Sequence, residues 1–353
     1  MRKQAIIHQP YDVRIDEIPA LEQRLGDFEL HVRTELSALS PGTETRIYAG
    51  LQAERFSYRV SYPFAVGYNN VGRVVAVGSR VTKYQPGQRV FTRMPHLSEY
   101  VVAEKAAPGS DAANPNVPAS YHVIAPVPEN VPTEEAVLTH LLTLGFNALH
   151  RGQYRFGENV LVIGLGLVGL GAVSMARAAG ARVAAIGNDE FRLHMARTVG
   201  ADEGWLSGDD DAGRASRFAG EAGLDLILVC ADAWSALRTA IHLSRRNTRI
   251  VVLAFPGAGQ EPAPFDPFEP ADFYNRSLSY IASSWMPTDE YPPEYQRFTV
   301  PRMYGYILDL MAGRRIDVSP LLTHRFPIGR IRDAFELALS KDKSVIGVVF
   351  DWN

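Results

Sequence analysis

A single cysteine, Cys230, stands in 353 residues. That excludes an intramolecular disulfide framework and any cysteine-rich structural zinc site. A basic excess is also missing: 36 Lys and Arg face 39 Asp and Glu, for a formal net charge of −3. Nucleic-acid surfaces usually carry such an excess, so that class of partner is set aside. The apolar run Val160–Ala176 contains four glycines and falls short of the ~20 residues a membrane helix needs. The opening Met1-Arg2-Lys3-Gln4-Ala5-Ile6-Ile7-His8 has too short an apolar run for a signal peptide. The expectation is a cytoplasmic protein with no membrane or nucleic-acid partner. Internal repeats and extended low-complexity tracts are absent as well.

What remains is an ordinary globular composition, 46% hydrophobic and 21% charged. At ~150 residues per domain the length predicts two domains, each able to bury a core. The first stretch reads as short strands parted by Pro or Gly: Ala5–Ile7, Val13–Ile15 and Glu29–Thr34. Val71–Val77 and Tyr100–Ala103 continue it, with turns at Gly78-Ser79 and Gln85-Pro86-Gly87. This is β-rich, barrel-like patterning. Thr133-Glu134-Glu135 predicts a helix start with a threonine cap and acids in the first turn. From Val160 onward, apolar strands alternate with helical stretches. The strands expected are Val160–Gly164, Arg182–Ile186, Leu224–Val229 and Arg249–Phe255. The helices expected between them are Gly169–Ala179, Glu190–Val199, Ala212–Ala222 and Ala233–Leu243. Such alternation implies a parallel sheet wrapped by helices. Residues 107–121 and 256–275, rich in Pro, Gly, Ala and Asp, read as loops. The C-terminal end holds one helix, Ile331–Ser340, and a last strand, Val345–Phe350.

The strongest local signal is Gly164-Leu165-Gly166-Leu167-Val168-Gly169, which follows the apolar run Val160–Ile163 and opens a helix. Its place between strand and helix gives the glycine spacing its meaning. The first Gly allows the tight turn and the second lets backbone approach a pyrophosphate. The third lets helix and strand pack closely. The helix N-terminus adds N–H donors and a partial positive charge. Gly164, Gly166, Leu167, Val168 and Gly169 are thus dinucleotide-binding candidates. NAD-preferring sites end the next strand with an acid for the ribose 2′-OH. Here Val183-Ala184-Ala185-Ile186 runs into Gly187-Asn188-Asp189, and the acid position falls on Gly187. Small, uncharged residues up to Asn188 leave room for a 2′-phosphate, and Arg192 is near enough in sequence to pair with it. That favours NADP(H) over NAD(H). The alternatives are Arg192 as a solvated helix residue and Asp189 in the NAD role. Positions beyond the C-terminal ends of parallel strands line the nucleotide crevice, which adds Cys230, Ala254 and Phe255. Cys230 reads as a small buried hydrophobe, since no base can be assigned to it.

Several segments recur in a telling order: Ser40-Pro41-Gly42-Thr43-Glu44, Gly67-Tyr68-Asn69-Asn70-Val71-Gly72, Val77-Gly78 and Gly87-Gln88-Arg89-Val90. The glycine loop and Leu322-Thr323-His324-Arg325-Phe326-Pro327 complete the series. Together they resemble the medium-chain dehydrogenase/reductase superfamily over essentially the whole chain. The resemblance implies an α/β fold class: a Rossmann doubly wound parallel sheet plus a β-rich, GroES-like catalytic domain. The catalytic domain would span 1–147, completed by 288–353, and the dinucleotide domain 148–287. It also implies a homodimer joined along the sheet, with Arg249–Phe255 as the edge strand. The Ser-Pro-Gly-Thr-Glu and Thr-His-Arg-Phe-Pro segments resemble alcohol- and polyol-type dehydrogenases, and a bacteriochlorophyllide-type dehydrogenase subgroup has similar stretches. Gly67-Tyr68 and the missing zinc residues resemble the quinone-reductase and enoyl-reductase branches instead.

Zinc members of the superfamily hold a catalytic ion with a Cys, a His and a third Cys or acid. The resemblance places these positions on Pro41, Tyr68 and near His140, with the usual neighbouring glutamate on Asn69. Proline has no ligating side chain and a neutral phenol is a poor zinc ligand. The four-cysteine structural lobe is missing. The expectation is therefore no zinc and no other metal. Without a Lewis acid, hydrogen-bond donors must meet the charge that develops on the substrate oxygen. One such donor in a dry site is worth roughly 2.7–4 kcal/mol of barrier. Tyr68, Asn69 and His140 are the candidates. Thr43 falls on the superfamily's proton-relay position, and Glu44 beside it would orient the network or close a loop hydrogen bond. Each has a plainer alternative. Thr43 and Glu44 would be turn residues, Tyr68 a ring filling an emptied pocket, Asn69 a partner for loop backbone, and His140 a satisfied core histidine. His96, after Met94-Pro95, is a further candidate. The aromatic, Pro-rich stretch Asp272–Pro301 reads as a pocket wall for a ring-shaped substrate, or else as a surface loop or subunit contact.

The leading expectation is a zinc-independent NAD(P)(H)-dependent oxidoreductase. It would interconvert a secondary alcohol and a ketone on a mid-sized cyclic or polyhydroxylated small molecule by hydride transfer. Tyr68, Thr43 or His140 would supply the proton. The alternative is an NADPH-dependent alkene (enoyl or quinone) reductase, and the second alternative is a non-catalytic dinucleotide-binding protein.

Overall fold

The computed structural model describes residues 1–21, 24–51, 60–104, 123–254, 261–283, 286–287, 292–340 and 342–353. The chain divides into two units. Met1–His140, Pro287–Arg314 and Leu322–Asn353 form the first, and Leu141–Met286 with Arg315–Leu321 the second. In chain order the first unit opens with β1 (Arg2–Gln9), β2 (Asp12–Ile18), β3 (Glu29–Leu39), α1 (Glu44–Tyr48) and β4 (Phe64–Ala65). Next come β5 (Asn70–Val77), β6 (Arg89–Thr92), β7 (Glu99–Ala103), β8 (Ile124–Pro126) and α2 (Thr133–Ala136). Helix α3 (Thr139–Arg151) carries the chain onward. The second unit holds β9 (Asn159–Ile163), α4 (Leu167–Ala178), β10 (Arg182–Gly187), α5 (Glu190–Thr198) and β11 (Glu203–Leu206). It continues through α6 (Asp211–Ala219), β12 (Leu226–Val229), α7 (Trp234–Leu243), β13 (Arg249–Val252) and β14 (Ser279–Ala282). The return adds α8 (Val300–Ala312), β15 (Leu322–Pro327), α9 (Ile331–Leu339) and β16 (Gly347–Asp351).

Strand β3 is the spine of the first unit. It pairs antiparallel with β5, β7 and β16 in a seven-stranded sheet, and β1 joins β2 and β4 in a smaller one. The first half of β3 alternates between buried and open positions, while Leu36–Leu39 is buried throughout. Beneath it Phe335 of α9 packs with Tyr48, Leu39 and Phe350. In the second unit the strands are all parallel, in the order β11-β10-β9-β12-β13-β14. Every residue of β9 is buried, as expected of a central parallel strand covered on both faces. The order reverses at β9, and such a switch point opens a crevice at the strands' carboxyl ends. No helix among the described residues is long and apolar enough to cross a membrane.

Several expectations need correction. Thr133 does not cap its helix: Pro132 holds the cap position, and Thr133 Oγ1 accepts from Arg89 (3.0 Å) instead. A second C-terminal helix, α8, was not expected, because Pro287, Pro292 and Pro293 break the stretch that runs up to Pro301. Pro301 itself does not prevent the helix. It falls in the first turn, where the missing N–H costs no hydrogen bond. The strand starting at Arg249 is not an edge. β14 pairs with it residue for residue and takes the outer place. In the aromatic stretch, Phe273 and Tyr280 meet at 5.2 Å against the core of the second unit, and Phe273 with Tyr274 also lines an open cavity beside Arg246. Trp285, Tyr291, Phe255 and the loop 107–120 lie outside the described residues.

One buried chain of hydrogen bonds joins three parts of the first unit. Trp352 Nε1, just past β16, donates to Ser37 Oγ of β3 (2.9 Å), which meets His96 Nδ1 (2.9 Å). His96 Nε2 meets Glu44 Oε2 of α1 (2.9 Å), and both side chains are buried. His96→Ala leaves the Glu44 carboxylate buried without its partner. It should cost about 3–5 kcal/mol, read as a lower urea midpoint with an unchanged slope. His96→Gln, which keeps a donor, should cost less.

Candidate functional site

The glycine loop of the second unit sits at the carboxyl end of β9. Gly164 has φ +96°, and a Cβ there would lie 2.7 Å from the Ala231 nitrogen. A Cβ on Gly169 would lie 1.8 Å from the Gly164 carbonyl oxygen. Both positions demand glycine for the loop to close. Gly166 differs: the nearest atom to a Cβ there is Arg192 Nη1, at 3.9 Å. Its hydrogen is needed by nothing in the chain, so the space over it is available to a ligand. Gly166 caps α4, and the N–H groups of Leu167, Val168 and Gly169 have no intrahelical acceptor. This is an anion cradle of the dinucleotide kind. At the end of β10, Gly187 packs against Leu165, and Asn188 is exposed. Asp189 caps α5, its carboxylate accepting from the Arg192 N–H (3.1 Å). Arg192 Nη1 reaches back to the Leu165 carbonyl (3.3 Å). Cys230 donates its backbone N–H to Ile163 (2.8 Å), and burial pushes its thiol up to about 12, so it holds no thiolate. Ala254 follows β13, its N–H directed at the Val229 carbonyl (3.4 Å).

In the first unit a second constellation forms around Tyr68. The Ser40 and Thr43 side chains stand beside its hydroxyl. Burial, with Glu44 nearby, raises the phenol well above its ordinary value, and these two hydroxyls and Arg93 offset only part of that. The edge of the ring meets His140, 5.4 Å between centroids at 89°. His140, at the start of α3, is buried, and its Nδ1 lies 2.8 Å from Tyr304 Oη of α8. Burial, then the Arg93 guanidinium, holds the imidazole well below its usual range, so it is neutral at pH 7. Tyr304 is raised by burial in the same way. The cluster is a set of neutral donors and acceptors facing one cation.

Tyr68, Thr43 and His140 are therefore brought together. Glu44 stands behind them: its Oε1 accepts from the Ser40 N–H (3.0 Å) while Oε2 holds His96. Asn69 is fully buried. Its Nδ2 donates to Ala38 (3.3 Å), and its Oδ1 has no hydrogen-bond partner. His96 is a core residue, with both ring nitrogens engaged. Among the described residues, no group of three or more His, Cys, Asp or Glu could hold a metal ion. Sequence reading missed Tyr304, Ser40 as a Tyr68 partner, and Arg93. The signal for Tyr304 was present as helical spacing, since Met303, Ile307, Leu310 and Met311 are all buried on α8.

Residues 26–124 match the alcohol dehydrogenase GroES-like domain, and residues 168–299 the zinc-binding dehydrogenase family. The chain belongs to the medium-chain dehydrogenase/reductase superfamily. It is a dehydrogenase of that superfamily. L-threonine 3-dehydrogenase of Anaeromyxobacter sp. (strain Fw109-5) is 27% identical, with 93% of each chain covered. Human sorbitol dehydrogenase is 25% identical over 94% of this chain and 91% of its own. The crystal structure of 2R,3R-butanediol dehydrogenase from Bacillus subtilis shares the fold, with a TM-score of 0.78 at 17% identity over 100% of both chains.

Two experiments test this site. Gly166→Ala should change stability by less than about 1 kcal/mol yet weaken dinucleotide binding in a fluorescence titration. Gly169→Ala should cost about 1–3 kcal/mol or more, because the Cβ meets backbone. The second concerns pH. The folded His140 stays unprotonated where the unfolded one binds a proton. Stability should therefore fall as pH drops below ~6.5, by up to ~1.4 kcal/mol per unit from this residue. Tyr68, Tyr100 and Tyr304, all raised by burial, should reverse the sign above pH ~10, where only the unfolded phenols ionise. Urea midpoints across pH 5–7.5 should be flatter in His140→Gln than in the wild type.

Proposed function

We propose that the protein is a zinc-independent alcohol–ketone oxidoreductase that prefers NADP(H). Its substrate is a mid-sized cyclic or polyhydroxylated molecule. The observation that carries this reading is the Tyr68–His140 cluster, where neutral hydrogen-bond groups stand at the superfamily's metal-ligand positions. This donor set fits zinc poorly. Pro41 offers no ligand, the half-buried Tyr68 phenol keeps its proton, and His140 Nδ1 is already engaged by Tyr304. Sorbitol and L-threonine 3-dehydrogenase, by name, act on a CH–OH group, which supports alcohol chemistry over alkene reduction.

The second unit binds the dinucleotide at Gly164–Gly169, and the nicotinamide, when bound, supplies or takes up the hydride. Gly187 brings no carboxylate for a ribose 2′-OH, and Asp189 is spent on its helix cap. Arg192, beside Gly166, is the group to meet a 2′-phosphate. In the first unit Tyr68 holds the proton for the substrate oxygen, with Thr43 and Ser40 as its relay. His140 supports the same oxygen, and Glu44 and Asn69 position the loop. We also take the protein to be cytoplasmic and a homodimer. The dimer would form along β14, whose outer edge has no partner strand among the described residues.

Metal analysis and turnover after EDTA treatment test the reading. Ketone reduction with NADPH should persist at zero zinc, and Tyr68→Phe should lower kcat by roughly 10²–10³-fold without changing NADPH affinity. Stoichiometric zinc, with activity lost to chelation and restored by zinc, would overturn zinc independence. Turnover of enones but not ketones would assign alkene reduction instead. Cofactor binding without turnover of either would leave a binding protein.

A further inference from the structure

Tyr68 and His140 both stand ready to serve a substrate oxygen, and Tyr304 separates their roles. Tyr304 is fully buried on α8, its ring edge-on to Phe91 (5.0 Å) and to His140 (5.8 Å). Its hydroxyl lies 2.8 Å from His140 Nδ1, and among the described residues that is its one hydrogen-bond partner. A neutral imidazole has one N–H and one lone-pair nitrogen, whereas a phenol can donate or accept. With the proton on Nδ1, the phenol oxygen would accept it, and the phenol's own proton would be buried without an acceptor. With Nδ1 bare, the phenol proton and the Nδ1 lone pair meet in one hydrogen bond. Leaving a buried donor unmet is the costlier arrangement.

We propose that Tyr304 is a positioning residue that fixes His140 as the Nε2–H tautomer, making His140 a hydrogen-bond donor to the substrate oxygen and not a base. The part concerning substrate rests on the function proposed above; the tautomer does not. Burial and Arg93 keep the ring neutral, and the choice between the two neutral tautomers falls to Tyr304. A neutral N–H donor holds an oxyanion without surrendering its proton, so no bond to His140 breaks in this role.

The test is nitrogen NMR of the full-length protein labelled with 15N-histidine, with His140→Gln identifying the His140 signals. The wild type at pH 7 should show a bare Nδ1 and a protonated Nε2. Tyr304→Phe should mix the tautomers and lower kcat for ketone reduction roughly 10–100-fold, with KM and NADPH affinity within about twofold. A purely structural tyrosine would leave both the tautomer and kcat unchanged in the folded variant, and that result overturns the proposal. So does a wild-type spectrum with the proton on Nδ1 or on both nitrogens. Should Tyr304→Phe fail to fold, the wild-type spectrum decides by itself. Should the protein reduce no ketone, the proposed function falls while the spectrum still decides the tautomer.

Discussion

The burial of Glu44 is the constraint from which the first unit's site follows. A carboxylate removed from water needs hydrogen bonds at both oxygens, or its burial is prohibitive. One oxygen takes the Ser40 N–H and the other takes His96. The first bond closes the turn that carries Ser40 and Thr43, which stand beside Tyr68. The second fixes His96, whose other nitrogen is locked through Ser37 to Trp352. The loop before β5 must then pass very close to His96. Gly67, at φ +108°, would place a Cβ 2.4 Å from the His96 nitrogen. Only glycine lets the chain deliver Tyr68 to its partners.

The second unit rests on a different economy of backbone. Two of its loop glycines are required by the fold and one is not, and the space over the third is left open. The same division holds one strand over. Asp189 is fixed by the needs of α5, so the position that would discriminate against a 2′-phosphate carries no free acid.

Much of this was legible in the residues. The strand–glycine–helix grammar of Val160–Gly169 predicts the nucleotide sheet because its period and its glycines are local properties. Ser40–Glu44 and Gly67–Asn69 stand out through the resemblance to the superfamily, which places its catalytic positions there. Three things were not legible. Pro287, Pro292 and Pro293 break the stretch that runs up to Pro301, so α8 was lost, and Tyr304 with it. The outer place of β14 depends on pairing that no window of sequence contains. His96 and Glu44 are 52 residues apart, and nothing in either segment says that the two are partners. Local rules find elements and loops, whereas long-range hydrogen bonds decide which polar residues are structural.

The state of charge around Tyr68 draws these threads together. A zinc site concentrates two positive charges on the substrate oxygen. Here burial raises two phenols and lowers an imidazole, leaving all three uncharged across the neutral range. Arg93 is the cation that bears on all three, and Glu44 on the far side of the Ser40 turn opposes it at Tyr68. On the zinc-independent reading proposed above, stabilisation of developing negative charge comes from preorganised dipoles in a low-dielectric setting, where each counts for more than it would in water. Such a site depends on orientation far more than on charge. That is why buried partners such as Ser40, Tyr304 and Glu44, which hold each donor in one direction, matter as much as the donors themselves.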